Sequence, residues 1–243
     1  GKSGAKVGAI TVLPSRNEPI QAQINSYECL RDLEDVSDTI STFILDNNRG
    51  SKDEVNEEFV DLFDSFVNIP SHHRSVKGNI DRSEIKAMLY THGAMVLGKA
   101  EVSEQSSTAA VIQELKDGVF APLEMDGVTQ FLATSTRDEV DLAAVNKEFG
   151  SFLDTYHTYN DGYEIAAMSG LSYPFSRMTE ISELVAASKT AILGNRRSLR
   201  KKRLTNNVDF LSEEVEEEKK EEQATETRAN KKPRDRLRKF ISR

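Results

Sequence analysis

Hydrophobic and polar positions fall into short blocks whose spacing predicts the elements. The run KVGAITVL, residues 6–13, is rich in β-branched residues and ends at Pro14, so it reads as a buried strand. Ile24, Tyr27, Leu30 and Leu33 then recur every three residues, as on one face of a helix. TISTFIL, residues 39–45, predicts a second strand running into the polar turn DNNRGSKD. Val55, Phe59, Leu62, Phe63 and Phe66 follow at helical spacing and predict an amphipathic helix with an aromatic buried stripe, which Pro70 stops. The loop SHHRSVKG leads to GNIDRSEIKAML, where another helix begins.

The order β-α-β-α-loop-α implies a parallel sheet with ligand groups beyond the strand C-termini. The second part reads differently. Strands are predicted at 93–102, 128–133 and 164–171, and helices at 108–115 and 141–156, making a smaller α+β domain. The helix MTEISELVAASKTAIL then leads away from the core. We find no internal repeat.

Charge changes this picture at one end. Residues 195–243 hold 16 Lys/Arg and 10 Asp/Glu, a net of +6, whereas the preceding 194 residues carry a net of −14 within a total of −8. With so few apolar residues, the last fifty or so predict a solvated helix passing into a basic tail, RRSLRKKR to KKPRDRLRKFISR. A single cysteine, Cys29, excludes an intrachain disulfide, a thiol-rich zinc site and a redox pair. No apolar run approaches the roughly 20 residues of a membrane helix, and no signal peptide is visible. A cytoplasmic, non-membrane protein is therefore expected.

Several motifs bear on chemistry. Gly1, Lys2 and Ser3 resemble the end of a phosphate-binding P-loop, but a strand follows where a helix is required. His72, His73 and His92 lack a ligand cluster with metal spacing, so no metal site is expected. Asn17 and Glu18 lie just past the first strand, Asp46 and Asn47 past the second, and Asn56 in the first turn of the aromatic helix. Each serves as a turn or cap residue; together they put carboxylate and amide groups on one edge of one sheet, and amides read both donor and acceptor edges of a base. Asp81 with Glu84 three residues on is a capping box, and with Asn79 it crowds three polar side chains into six residues.

In register, these segments resemble the tubulin/FtsZ superfamily, and within it the plasmid-segregation TubZ branch, over residues 4–190. VGAITVLPS with NEP is similar to the family's ribose-contacting strand and loop, FILDN to its guanine-contacting strand end, and VNEEFVDLF to the start of its central helix. GNIDRSEI matches its catalytic loop, and GAMVLGKAEV and GVTQFLATST continue into its second domain. The resemblance implies a GTPase binding GTP or GDP through Glu18, Asn17, Asn47 and Asn56. It further implies that Asp81, Glu84 and Asn79 act catalytically in the nucleotide site of the next subunit. Mg2+ would be held mainly by the phosphates and by a Gly-rich phosphate loop expected upstream of these residues. Lys52 stands where relatives often stack an aromatic ring on the base.

The implied domains are 1–70, the C-terminal part of the GTP-binding domain with its central helix; 71–92, the catalytic loop and following helix; 93–190, the second or activation domain; and 191–243, the charged helix and tail. The implied partners are further copies of the chain, head to tail in a filament, and a centromere-binding adaptor that links the basic tail to plasmid DNA. A division-ring filament protein, or a non-enzymatic adaptor binding nucleic acid through the tail, are the alternatives.

Overall fold

The computed structural model describes residues 6–36, 39–72, 78–124 and 128–204. The GKS triplet, His73 and everything from residue 205, including the basic end of the tail, lie outside them. The chain divides into two compact units, 1–189 and 190–243. The first contains all the strands; the second is described as the last stretch of helix α7 (Phe175–Leu204).

Six strands form one sheet in the order β1-β2-β3-β6-β4-β5. β1 (Val7–Leu13), β2 (Thr39–Asp46) and β3 (Gly93–Glu101) run parallel. β6 (Tyr163–Leu171) is antiparallel to both β3 and β4 (Val128–Thr136), and β5 (Ser151–Tyr159) runs parallel to β4. The expected α/β class is thus realised; the strands expected in a second, α+β part continue the same sheet, with β3 pairing to β2 on one side and β6 on the other.

Helix α2 (Lys52–Val67) is the best specified element. Ser51 caps it by accepting from the Glu54 N–H, while Glu54 accepts from the Ser51 N–H, so two otherwise orphaned donors are satisfied. Its stripe buries Val55, Phe59, Leu62 and Phe66, with Phe63 partly covered. Phe43 of β2 meets Phe59 at 5.2 Å and Phe63 edge-on at 5.6 Å between ring centroids. Each such ring contributes roughly 1.5–3 kcal/mol by leaving water, so this stripe fixes α2 to the sheet. α2 ends two residues before a short helix, α3 (Ile69–His72), which Pro70 tolerates near its start.

Three expectations are corrected. The predicted helix over 141–156 is only α6 (Leu142–Phe149); Gly150, at φ 81°, ends it, and the remainder belongs to β5. SFLDTYHTY has the β-branched and aromatic content of a strand, and the helical reading missed the break at the glycine. β1 is an edge strand rather than a buried one: Val7 is 64% and Ile10 60% exposed, and Leu13 alone is fully covered. On α1 (Ile20–Glu34) Leu30 is buried, Tyr27 and Leu33 are only partly covered, and the most enclosed polar side chain is Gln23. Its amide donates to the Ser15 carbonyl, an arrangement that hydrophobic periodicity does not reveal.

The remaining helices are α4 (Arg82–Leu89) and α5 (Ser107–Asp117). Among the described residues no helix is long and apolar enough to cross a membrane, and no group of three His, Cys, Asp or Glu side chains is placed to hold a metal ion.

Candidate functional site

A cleft of about 370 Å3 opens beyond the C-terminal ends of β1 and β2, where parallel sheets present ligands. Three of the four residues expected to bind nucleotide line it: Glu18 from the β1–α1 turn, Asn47 from the end of β2 and Asn56 from the first turns of α2. Asn17 is exposed on the same turn and does not line the cleft.

Local chain geometry explains the assembly. The Glu18 N–H donates to the Ser15 carbonyl at 3.0 Å, and the Ser15 N–H donates back to Glu18 Oε1 at 3.0 Å, which closes a tight turn before Pro19. The Asn47 N–H donates to the Leu13 carbonyl at 3.0 Å, extending the β1–β2 ladder one residue past the strand. Asn47 Nδ2 then donates to the same Glu18 Oε1, also at 3.0 Å. The remaining oxygen, Oε2, takes the Lys52 ammonium at 2.8 Å. Asn47 is buried, and its Oδ1 accepts no hydrogen bond within the protein.

Hydrogen bonding to Lys52, and then to Asn47, holds the Glu18 carboxyl down at about 2, against partial desolvation. A carboxyl lower in the folded chain than its ordinary 4.5 contributes stability that is complete above that value and drains as pH falls toward about 2. The stability difference between wild type and Glu18→Gln is therefore expected to be constant above pH 5 and to shrink in acid. Urea unfolding followed by circular dichroism at stepped pH checks this; a difference that does not change with pH would refute it.

Asp46, expected beside Asn47 as a turn residue at the sheet edge, is a turn acceptor and also one half of a buried ion pair. Its Oδ2 accepts from Arg177 Nε at 3.0 Å and its Oδ1 from the Asn48 N–H at 2.9 Å, both side chains of the ion pair being almost wholly buried. Arg177 Nη2 also donates to the Pro14 carbonyl at 2.7 Å, so one α7 guanidinium ties together the ends of β1 and β2 beneath the cleft. Nothing in the sequence near residue 177 marks this role. Ala22, Asn25 and Ser26 of α1 also line the cleft and were not singled out. Their spacing of three and four residues is a small, polar helical face, which could have been read.

The second expected set, Asn79, Asp81 and Glu84, lies elsewhere. Ile80 is fully buried and leaves its neighbours Asn79 and Asp81 facing solvent. Asp81 caps α4: its Oδ1 accepts from the Ser83 and Glu84 N–H groups at 2.6 and 3.1 Å, and Glu84 Oε2 accepts from the Asp81 N–H at 2.7 Å. The capping box is thus real, and each acid keeps a second oxygen to present outward. The bond from the Ser83 hydroxyl, followed by those backbone donors, keeps the Asp81 carboxyl below its usual range, so it is ionised at neutral pH.

The loop before it is clamped. Gly78 has φ 72°, and a Cβ there would come within 2.6 Å of the His157 carbonyl oxygen; Thr158 Oγ1 donates to the Gly78 carbonyl at 3.3 Å. A residue other than glycine would push the acid loop off β5.

None of the three acid-loop residues lines the cleft. The C-terminal end of α4 is fastened to the opposite end of β2, where Ser41 Oγ donates to the Met88 and Thr91 carbonyls. The start of α4, where the acids sit, is held at β5 through Gly78, and β5 lies four strands from β2 in the sheet, roughly 19 Å at ~4.8 Å per strand. The two sets of groups are therefore held apart within one chain.

The six-stranded mixed sheet with its flanking helices has the α/β fold of tubulin-like proteins. No protein-family model matches the chain. A tubulin-like protein TubZ of Clostridium botulinum C phage is 27% identical over 182 residues, 73% of this chain and 50% of that protein. The crystal structure of Clostridium botulinum phage c-st TubZ superposes with a TM-score of 0.68 at 25% identity, covering 76% of this chain and 62% of that one. GDP-form protofilaments of Bacillus thuringiensis serovar israelensis TubZ share the fold at 14% identity, with a TM-score of 0.67 over 85% of this chain and 62% of that one. The chain is thus similar in sequence to TubZ and shares the fold of the tubulin/FtsZ-like proteins. It spans about half the length of the curated relative it matches.

Proposed function

We propose that this chain forms part of a GTP-hydrolysing, filament-forming protein of the plasmid-segregation type, in which the acid loop of one subunit completes the cleft of the next. The observation that carries this reading is the separation of the two sets of groups: among the described residues, the cleft is lined by amides and one paired carboxylate, and the acids of the α4 cap lie outside it. A head-to-tail contact joins them, and such a heterologous contact repeats into an open filament.

The residues present fit a guanine nucleotide. Asn47 and Asn56 both line the cleft and bring amide groups that suit the donor and acceptor edge of a guanine, Asn56 one α2 turn above Lys52. Glu18 accepts ribose hydroxyls. GTP supplies the phosphoanhydride that water attacks. Asp81 and Glu84 from the neighbour orient that water and accept its proton, and Asn79 shapes the loop. The capped α4 start is a rigid mount for them. Mg2+ would be held by the phosphates and by residues outside these, since the described acids form no metal cluster. The basic residues 231–243, outside the described residues, would dock an adaptor bound to centromeric DNA.

GTP turnover by the full-length protein is expected to show a concentration threshold, with specific activity rising steeply where filaments appear in light scattering. Specific activity independent of protein concentration would refute the shared site.

A further inference from the structure

The cleft poses an electrostatic problem. A carboxylate that is ionised at every physiological pH lies in the wall of a site which, on the reading above, must take a polyphosphate carrying several negative charges. Like charges in one partly enclosed cleft cost binding energy. Among the described residues that line the cleft, Glu18 and Lys52 are the only charged ones, and they are in contact: Lys52 Nζ sits 2.8 Å from Glu18 Oε2.

The position of Lys52 is odd for a helix. It is the first residue of α2, where the helix dipole favours acids and disfavours a cation, and the neighbouring Asp53 and Glu54 follow the usual preference. Glu54 is spent on the Ser51 cap, and Asp53 does not line the cleft. The ion pair itself adds little to folding, because the lysine side chain is 63% exposed and solvent screens such pairs. A role in ligand binding explains the placement better than a role in stability.

We infer that Lys52 is the counter-charge that lets a ribose-binding carboxylate serve in a polyanion site: it neutralises Glu18 locally and, with the α2 N-terminus, leaves the cleft mouth free of net negative charge. This rests on the nucleotide reading above. The pairing does not shut the ribose out. Glu18 Oε1 is filled by Ser15 and Asn47, but Oε2 has a second lone pair beside the ammonium, so a hydroxyl donates there while Lys52 stays in place.

The signature is charge-dependent affinity. Full-length wild type and Lys52→Met are titrated calorimetrically with guanosine, GMP and GDP. Methionine retains the stem and removes the charge. The Lys52→Met penalty is expected to grow along the series, from within about twofold for guanosine to about tenfold for GDP, and to contract when salt is raised from about 0.05 to 0.5 M. Lys52→Arg should restore GDP affinity to within about threefold of wild type. A lysine that merely competes with ribose for Glu18 would instead give tighter binding of all three ligands in Lys52→Met, and an equal penalty for all three would mark a packing role; either result overturns the inference. These failures leave the nucleotide reading intact, because that falls only if wild type binds none of the three ligands or if Glu18→Ala binds them as wild type does.

Discussion

Replacing Asp81 by Asn is expected to slow GTP turnover about a hundredfold or more while leaving long-lived filaments. Asparagine is as good an N-cap as aspartate, so its Oδ1 continues to accept from Ser83 and Glu84 and α4 keeps its start. The charge that orients water is what disappears. Alanine is a poorer choice, because losing the cap costs about 1 kcal/mol at a loop that Gly78 and Thr158 already hold in place. Glu84→Gln isolates the second acid in the same way, since a glutamine oxygen still accepts from the Asp81 N–H.

The stronger form of this experiment mixes two inactive proteins. Asp81→Asn has an intact cleft and a disabled acid loop, and Glu18→Ala has the reverse. In a mixed filament some contacts join the good cleft of the first to the good acids of the second, and those contacts should hydrolyse GTP. Phosphate release from the mixture is expected to exceed the sum of the separate proteins, most strongly near equal proportions. If the mixture only adds, and assembly-blocked protein hydrolyses at the wild-type rate, the acids act within their own chain and the shared site is refuted. The roughly 19 Å across the sheet between β2, which ends at the cleft, and β5, which holds the acid loop, argues against that outcome.

What was legible in the sequence follows from which interactions are local. The α2 stripe and the Asp81–Glu84 capping box are encoded within three to eleven residues, so periodicity and spacing found them; the equally local Ser51–Glu54 box at the start of α2 was readable by the same spacing and was missed. Glu18, Asn47 and Asn56 came together because each immediately follows or opens an element whose order was readable. The failures are of two other kinds. β5 was lost because 141–156 carries enough apolar residues to imitate one helix, and only the backbone of Gly150 breaks it. Asp46 was read as a turn residue, which its bond from the Asn48 N–H bears out, but its ion pair was invisible because the partner lies 131 residues away on a helix whose start gives no sign of it. The exposure of β1 likewise depends on its place at the sheet edge, which composition does not encode.

That distant partner gives the second large effect. Arg177→Met is expected to destabilise the first unit by about 3–5 kcal/mol, because it leaves the Asp46 carboxylate buried without its counter-ion and the Pro14 carbonyl without its donor. For a domain whose whole stability is of the order of 5–15 kcal/mol, that is a large fraction, and the urea midpoint should fall accordingly. Pairing the change with Asp46→Leu tests the cause: with both charges gone the site becomes apolar, and the double variant should be more stable than Arg177→Met alone. Nucleotide binding separates folding from function. Asp46 immediately precedes Asn47, and Arg177 draws together the strand ends that set Glu18 and Asn47 at 3.0 Å, so the double variant should fold yet bind GDP more weakly than wild type. If Arg177→Met instead unfolds within about 1 kcal/mol of wild type, the buried pair is not what fastens α7 beneath the cleft, and the alignment of the two strand ends must come from the β1–β2 ladder alone.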